Sequence, residues 1–116
     1  MTLNEMVQQL GLECLTPELE RGAAALTAGY VSDLLSDVLA NGPEGGVLVT
    51  VQVHLNVIAV AVHAELAAVI FAHDRRPEED VRQKAIEEGV ALYATPVPAF
   101  EVVGRLYAAG LRGTSA

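Results

Sequence analysis

Apolar and polar residues alternate along the chain in patterns that predict a succession of short helices and strands. Thr2 and Glu5 match a capping box ahead of apolar positions at helical spacing, and Gly11 follows, so we expect the first helix between them. Residues 77–89 begin with proline and acidic side chains and end in glycine, which predicts a second helix. Helical spacing also predicts a final helix over residues 99–109.

Runs rich in β-branched and aliphatic residues predict the strands. In chain order these are residues 12–15, 24–30, 47–51, 67–72 and 90–94. Ser32 or Asp33 matches the N-cap of a short helix that ends at Asn41-Gly42-Pro43. Residues 56–66 combine β-branched residues with alternating alanines; we interpret them as a helix because the chain must reverse before the next strand.

Strands that alternate with helices of this size are typical of βαβ units. The predicted fold class is therefore α/β: a single-domain three-layer sandwich with a largely parallel central sheet and helices on both faces. A chain of 116 residues with 52% hydrophobic content can bury one core and is too short for two domains. We expect residues 1–111 to form this domain and residues 112–116 to form a polar C-terminal tail.

The net charge and the number of cysteines argue against some classes of function for this chain and favour others. The net charge is −8 and the basic residues are scattered, so the chain lacks the basic patch that binds nucleic acid phosphates. Its one cysteine, Cys14, cannot form an internal disulfide, which fits a reducing compartment. The N-terminus has no basic start followed by an apolar run, and no stretch of about 20 apolar residues occurs, so we expect a cytoplasmic protein with no membrane contact.

Polar side chains collect in two blocks, residues 30–37 and 50–56, which the predicted fold places near the carboxyl ends of strands. Ligands of parallel sheets generally bind there, and alternate residues of an extended segment share one side. The candidate ligand-binding residues are Ser32, Asp33, Thr50, Gln52, His54, Asn56 and Thr95. The alternative interpretation of the first block is helix capping with a solvated face, and that of the second is a polar subunit interface or a buried network.

The sequence indicates no metal site and no cofactor. His54, His63 and His73 are widely spaced and have no cysteine partner, whereas zinc needs three or four converging ligands. No Walker A or Gly-x-Gly-x-x-Gly loop is present, so a nucleotide remains a candidate ligand that no motif indicates. A nucleophile elbow is also absent. Catalysis would rest on Asp33 and His54 as an acid–base pair acting on a phosphorylated or hydroxylated metabolite.

Several spaced segments together resemble the DRTGG domain family. The resemblance covers nearly the whole chain and is carried by residues 30–38, 50–61 and 85–89, by Thr95 and by Phe100-Glu101. DRTGG domains occur between CBS domains in some inorganic pyrophosphatases, beside phosphotransacetylase catalytic domains, and as stand-alone proteins near iron-hydrogenase genes. Their fold is similar to the N-terminal domain of HPr kinase/phosphorylase. The resemblance implies a regulatory or assembly module, often dimeric, without established catalysis.

The final predicted helix carries the features that bear on whether the chain forms a dimer. One stripe of it carries apolar side chains whose expected role is core packing or a dimer seam: Phe100, Val103, Leu106 and Tyr107. Glu101 and Arg105 have the i, i+4 spacing of an exposed ion pair. Because a small and highly aliphatic chain cannot bury every apolar helix face by itself, we expect a homodimer.

These observations lead to three hypotheses. The leading one is a non-catalytic regulatory or assembly module that homodimerises and binds a small ligand or a partner protein through the candidate residues. The second is a small enzyme that uses Asp33 and His54 as its acid–base pair. The third, which the genomic setting of stand-alone DRTGG domains implies, is a pure adaptor for a redox complex of the hydrogenase type.

Overall fold

β-Branched and aliphatic segments form a five-stranded sheet at the centre of the molecule. The computed structural model describes residues 1–114. Its strands are β1 (Glu13–Cys14), β2 (Gly29–Val31), β3 (Val47–Thr50), β4 (Ala68–Phe71) and β5 (Ala91–Ala94). They lie in the order β1-β5-β4-β3-β2, in which β2 to β5 are parallel and β1 pairs antiparallel with β5. The predicted α/β class with a largely parallel sheet is confirmed.

Helices and strands succeed one another along the chain in the order that the sequence predicts. Within residues 1–114 they are α1 (Leu3–Leu10), α2 (Leu35–Asn41), α3 (Asn56–His63), α4 (Glu79–Glu88) and α5 (Ala99–Ala108). The helical interpretation of residues 56–66 is confirmed for residues 56–63, which form α3. No helix in this part of the chain has the length and apolar character needed to cross a membrane.

The helices cover both faces of the sheet. α1 and α5 pack on the face to which Val47 and Val49 point, and their buried side chains form one core with that face. α2, α3 and α4 pack on the opposite face, together with Leu48 of the same strand. Neighbours along β3 alternate between the two cores because successive side chains of a strand point to opposite sides. The predicted three-layer arrangement is confirmed.

Local signals in the sequence determine several helix ends. The Glu5 amide donates to Thr2 Oγ1 at 3.2 Å, and the Thr2 amide donates to Glu5 Oε1 at 3.1 Å, which is the predicted capping box. Gly11 and Gly89 follow α1 and α4 with φ of 65° and 75°, a left-handed conformation that favours glycine. The predicted start and end of α1 and the predicted end of α4 are therefore confirmed.

The strand predicted over residues 24–30 is mostly wrong. Only its last residues enter the sheet, as the beginning of β2. The earlier residues pair with the start of the chain: the Leu3 amide donates to the Ala24 carbonyl at 3.0 Å, and the Leu26 amide donates to the Met1 carbonyl at 2.8 Å. Because these backbone groups find partners beside α1, the segment lies outside the sheet.

The beginning of the predicted tail lies against the edge strand β2. The Gly29 amide donates to the Arg112 carbonyl at 2.9 Å. Arg112 also stacks on Tyr107 of α5, with its guanidinium carbon 3.8 Å from the ring centroid. The division between a domain over residues 1–111 and a polar tail stays a prediction, and its last two residues lie outside the described ones.

Candidate functional site

The candidate residues follow the carboxyl ends of the parallel strands. β2, β3 and β5 end at Val31, Thr50 and Ala94, and the strand register places these ends along one edge of the sheet. Thr95 follows β5, two strands away from Thr50, which is about 10 Å at the usual spacing of neighbouring strands. The structure therefore places the candidates at one edge but in two groups, one around β3 and one at Thr95.

Asp33 and Thr50 are in direct contact. Asp33 Oδ1 accepts a hydrogen bond from Thr50 Oγ1 at 2.9 Å and another from the Val51 amide at 2.8 Å. Thr50 is fully buried, so this carboxylate satisfies a hydroxyl that water does not reach. The prediction that Ser32 or Asp33 caps α2 is wrong, because Leu34 occupies the N-cap position and has no side-chain cap bond.

The second polar block is a loop rather than an extended strand. From Thr50 onward, every second side chain accepts a hydrogen bond from the backbone amide two residues further along the chain. The Gln52 amide donates to Thr50 Oγ1 at 3.0 Å, and the His54 amide donates to Gln52 Oε1 at 3.1 Å. The Asn56 amide donates to His54 Nδ1 at 3.1 Å, where α3 begins. The expectation that these side chains alternate along one side of an extended segment is wrong, because the chain turns here and its amides need acceptors.

Ser32 and Thr95 have the same role in their own loops. The Leu34 amide donates to Ser32 Oγ at 3.2 Å, and the Val97 amide donates to Thr95 Oγ1 at 3.2 Å. Thr95 is buried and Ser32 is partly buried. The hydroxyls at the ends of β2, β3 and β5 therefore all stabilise the turn that follows their strand.

Some polar atoms at this edge have no hydrogen bond to residues 1–114. They are Asp33 Oδ2, His54 Nε2, the Gln52 side-chain nitrogen and the side-chain amide of Asn56. Their residues are exposed or half-exposed, so these atoms can hydrogen-bond a polar ligand. Nowhere in the described chain do three His, Cys, Asp or Glu side chains converge in a way that can hold a metal ion.

Asp33 and His54, the two residues of the enzyme hypothesis, bond to different parts of the loop after β3. The Asp33 carboxylate bonds to the end of β3, and His54 Nδ1 accepts the Asn56 amide. No hydrogen bond joins the two side chains in residues 1–114. Each side chain keeps one polar atom that is not bonded to residues 1–114, Asp33 Oδ2 and His54 Nε2, so the enzyme hypothesis stays a prediction.

The first polar block contains a hydrogen-bond network that the sequence patterns do not predict. Tyr30 Oη donates to Asp37 Oδ1 at 2.7 Å, and Asn41 Nδ2 donates to the same oxygen at 2.9 Å. The bond from Tyr30 is the largest cause of the lowered pKa of Asp37, and the neighbouring Ser32 hydroxyl and the Asn41 side-chain amide lower it further. In turn, the Asp37 carboxylate raises the pKa of Tyr30. The network connects β2 to α2. The feature of the sequence that points to it is that Tyr30 and Asp37 belong to the same polar block.

The outer face of α5 exposes large apolar side chains. Phe100 is 86% exposed and Tyr107 is 58% exposed, whereas Leu106 is 4% exposed. The predicted apolar stripe is therefore divided, because Leu106 packs in the core while Phe100 and Tyr107 face outward. The expected ion pair between Glu101 and Arg105 is absent, and neither residue is paired within residues 1–114.

Comparisons with known proteins bear on the fold. No family model matches the chain, and no curated protein matches it in sequence. The chain is similar in structure to the CBS and DRTGG domains of the regulatory region of Clostridium perfringens pyrophosphatase, which were solved with the activator diadenosine tetraphosphate. The TM-score is 0.74 at 13% sequence identity, and the likeness covers 90% of this chain but 45% of that one. This likeness shows a shared fold and supports the DRTGG-like fold that the resemblance implies.

Proposed function

We propose that this chain is a non-catalytic regulatory or assembly module that homodimerises through α5 and binds a small ligand or a partner protein at the carboxyl ends of its strands. The observation that carries the dimer is the outer face of α5, on which Phe100 is 86% exposed. Large apolar side chains grouped on an exposed face mark an interaction surface. The fold shared with a pyrophosphatase regulatory region supports a regulatory role.

Gly104 lies in the middle of this face, one helical turn from both Phe100 and Tyr107. Apart from its chain neighbours and the backbone of its own helix, a Cβ at this position would meet no atom of the described chain within 4 Å, so packing inside the monomer does not require glycine here. Glycine inside a helix costs about 1 kcal/mol relative to alanine. A second helix can approach closely where a side chain is missing, and a dimer seam at Gly104 accounts for a glycine that the monomer does not need.

The charges on α5 fit pairing with a second copy. A two-fold dimer with antiparallel α5 helices places the first half of one helix opposite the second half of the other. With the axis near Gly104, Phe100 of one copy lies opposite Tyr107 of the other, and Glu101 comes within reach of Arg105. Glu101 precedes Gly104 and Arg105 follows it, so this surface carries an acid on one side of its centre and a base on the other, which makes it complementary to itself, as a two-fold interface requires.

The candidate residues fall into two groups according to the part we propose for them in ligand binding. We propose that the outward polar atoms of Asp33, Gln52, His54 and Asn56 contact the ligand. The hydroxyls of Ser32, Thr50 and Thr95 instead position the loops, because each accepts an amide of its own turn. The location supports this role, since ligands of parallel sheets bind at the carboxyl ends of strands.

Size-exclusion chromatography with multi-angle light scattering tests the dimer. We expect the native chain to elute with the mass of two copies at micromolar concentration, and Phe100→Ser and Gly104→Leu to elute with the mass of one. Leu39→Ser is the matched control, because it removes an exposed leucine from α2 and should leave the dimer intact. A monomeric native chain, or seam variants that remain dimeric, would contradict the proposal.

A further inference from the structure

A groove runs between the edge strand β2 and the second half of α5. Its volume is about 330 Å³, at the lower end of the roughly 300–1,000 Å³ that small-molecule sites occupy. Its aliphatic lining consists of Val31, Val49, Val103, Leu106 and Leu111. The segment from Arg112 to Thr114 forms one wall.

Arg112 brings a positive charge to this groove and is held in place there. Its guanidinium carbon lies 3.8 Å from the ring centroid of Tyr107. Nη1 donates to the Tyr107 carbonyl at 2.9 Å and to the Leu111 carbonyl at 3.3 Å. Arg76 and Arg82 each pair with a carboxylate, but Arg112 has no such partner within residues 1–114. Its Nε and Nη2 hydrogens are therefore not used by the described chain.

We propose that this groove binds a small monocarboxylate whose body is aromatic or branched aliphatic. The aliphatic walls favour an apolar body, because burying it removes apolar surface from water. The unused N–H groups of Arg112 match the two oxygens of a carboxylate, which arginine binds through its planar fork. In a chain of net charge −8, an arginine that is stacked on Tyr107 and has no acidic partner in residues 1–114 favours binding of an anion in the adjacent apolar groove over a neutral molecule of the same shape.

The groove is separate from the strand-end residues, and ligand binding to it does not require the dimer. Tyr107 nevertheless borders both the groove and the outer face of α5. Where two copies pair along α5, which rests on the proposed function, the second copy covers part of the open side of the groove. A carboxylate that binds the covered groove more tightly then strengthens the dimer, and by thermodynamic linkage the dimer strengthens carboxylate binding by the same factor.

Titration of the isotope-labelled protein with 3-phenylpropionate, followed by NMR, tests the site. We expect saturable shifts of the backbone amides that border the groove, among them Gly29, Val31 and Gly113. Arg112→Gln should weaken binding by about tenfold or more, since a charged hydrogen bond is lost, and Arg112→Lys, which keeps the charge, should weaken it less. Arg75→Gln removes the same charge from an exposed arginine outside the groove and should bind as the native chain does.

The neutral isostere 3-phenylpropanamide separates recognition of the carboxylate from burial of the ring. It should bind the native chain and Arg112→Gln equally weakly. The proposal is overturned if 3-phenylpropionate causes no saturable shifts, if its shifts map to the loop after β3, or if Arg112→Gln binds it as tightly as Arg75→Gln does. Light scattering on the same samples keeps the two proposals distinguishable: a monomer that binds 3-phenylpropionate contradicts only the dimer, and a dimer that does not bind it contradicts only the groove.

Discussion

The carboxylate of Asp33 accepts a hydrogen bond from the buried hydroxyl of Thr50 at 2.9 Å, across the ends of two neighbouring strands. The same Asp33 oxygen accepts the Val51 amide, and the Thr50 hydroxyl accepts the Gln52 amide. One carboxylate and one hydroxyl therefore hold the beginning of the loop that carries the proposed ligand contacts. Asp33 thereby affects both the stability of the fold and the shape of the site.

Asp33→Ala should lower the free energy of unfolding by about 1–3 kcal/mol, because it leaves the Thr50 hydroxyl and the Val51 amide without their acceptor. Asp33→Asn, which keeps an oxygen at the same position, should cost less. Ser36→Ala is the control, since Ser36 is exposed and makes no side-chain hydrogen bond in the described chain. Urea denaturation measures all three variants. Equal stability of Asp33→Ala and Ser36→Ala would show that the contact does not stabilise the loop.

The bond between Tyr30 and Asp37 predicts a dependence of stability on pH. The pKa of Asp37 is lowered from 3.8, so its contribution to stability is present above that value and is lost as the pH falls through the pKa of the folded state. The pKa of Tyr30 is raised from 10.0, so its contribution is present below that value and is lost as the pH rises through the folded-state pKa. Between these limits the bond stabilises the fold.

Tyr30→Phe removes the donor of this bond, and the pKa of Asp37 should rise towards its ordinary value. Titration of the Asp37 carboxyl carbon by NMR measures that shift directly. Tyr107→Phe is the matched control, because the Tyr107 hydroxyl makes no hydrogen bond to residues 1–114 and should leave the titration of Asp37 unchanged. An Asp37 titration curve that is the same in Tyr30→Phe and in the native chain would argue against the bond.

The parts of the fold that the sequence predicts are those with local signals. The capping box of Thr2 and Glu5 and the glycine that ends α4 act within one helical turn, so their spacing in the sequence is enough to identify them. The runs of β-branched residues that form β3 and β4 are buried on both faces and need no further information to be assigned as strands. These elements determine the α/β class.

The contacts of the candidate site could not be predicted in the same way. Asp33 and Thr50 are 17 residues apart, and their bond depends on the register of β2 and β3. The alternation of polar residues after Thr50 fits an extended strand and a series of turns equally well, and only the position where β3 ends separates the two. The seam proposed at Gly104 likewise depends on which face of α5 the sheet leaves exposed.

Asn56→Ala should abolish a ligand contact without disturbing the loop, because the bond to His54 comes from the Asn56 backbone and survives the change. A thermal-shift screen against nucleotides and phosphorylated metabolites identifies the ligand, since one present at about 100 times its Kd adds about 2.7 kcal/mol to stability. We expect the shift to be lost in Asn56→Ala and kept in Gln9→Ala, which removes an exposed amide from α1. A shift that survives in Asn56→Ala would place the ligand elsewhere.

Gly104→Ala should have opposite effects on the monomer and on the dimer. Alanine stabilises the interior of a helix by about 1 kcal/mol relative to glycine, and the added Cβ meets no described atom within 4 Å beyond its chain neighbours and the backbone of its own helix. At protein concentrations below the dissociation constant of the dimer, the free energy of unfolding of the monomer should therefore rise. At the seam the same methyl group prevents close approach of the second α5, so the dissociation constant should rise as well. Sedimentation and denaturation over a range of concentrations measure both quantities.

Ala59→Gly is the reverse control, because Ala59 is exposed in the middle of α3 and away from the proposed seam. It should lower the free energy of unfolding by about 1 kcal/mol and leave the dissociation constant of the dimer unchanged. If Gly104→Ala raises the stability of the monomer without weakening the dimer, the glycine is not at the interface, and the exposed face of α5 then contacts something other than a second α5. Opposite effects in Gly104→Ala, beside an unchanged dimer in Ala59→Gly, place the two-fold axis at Gly104.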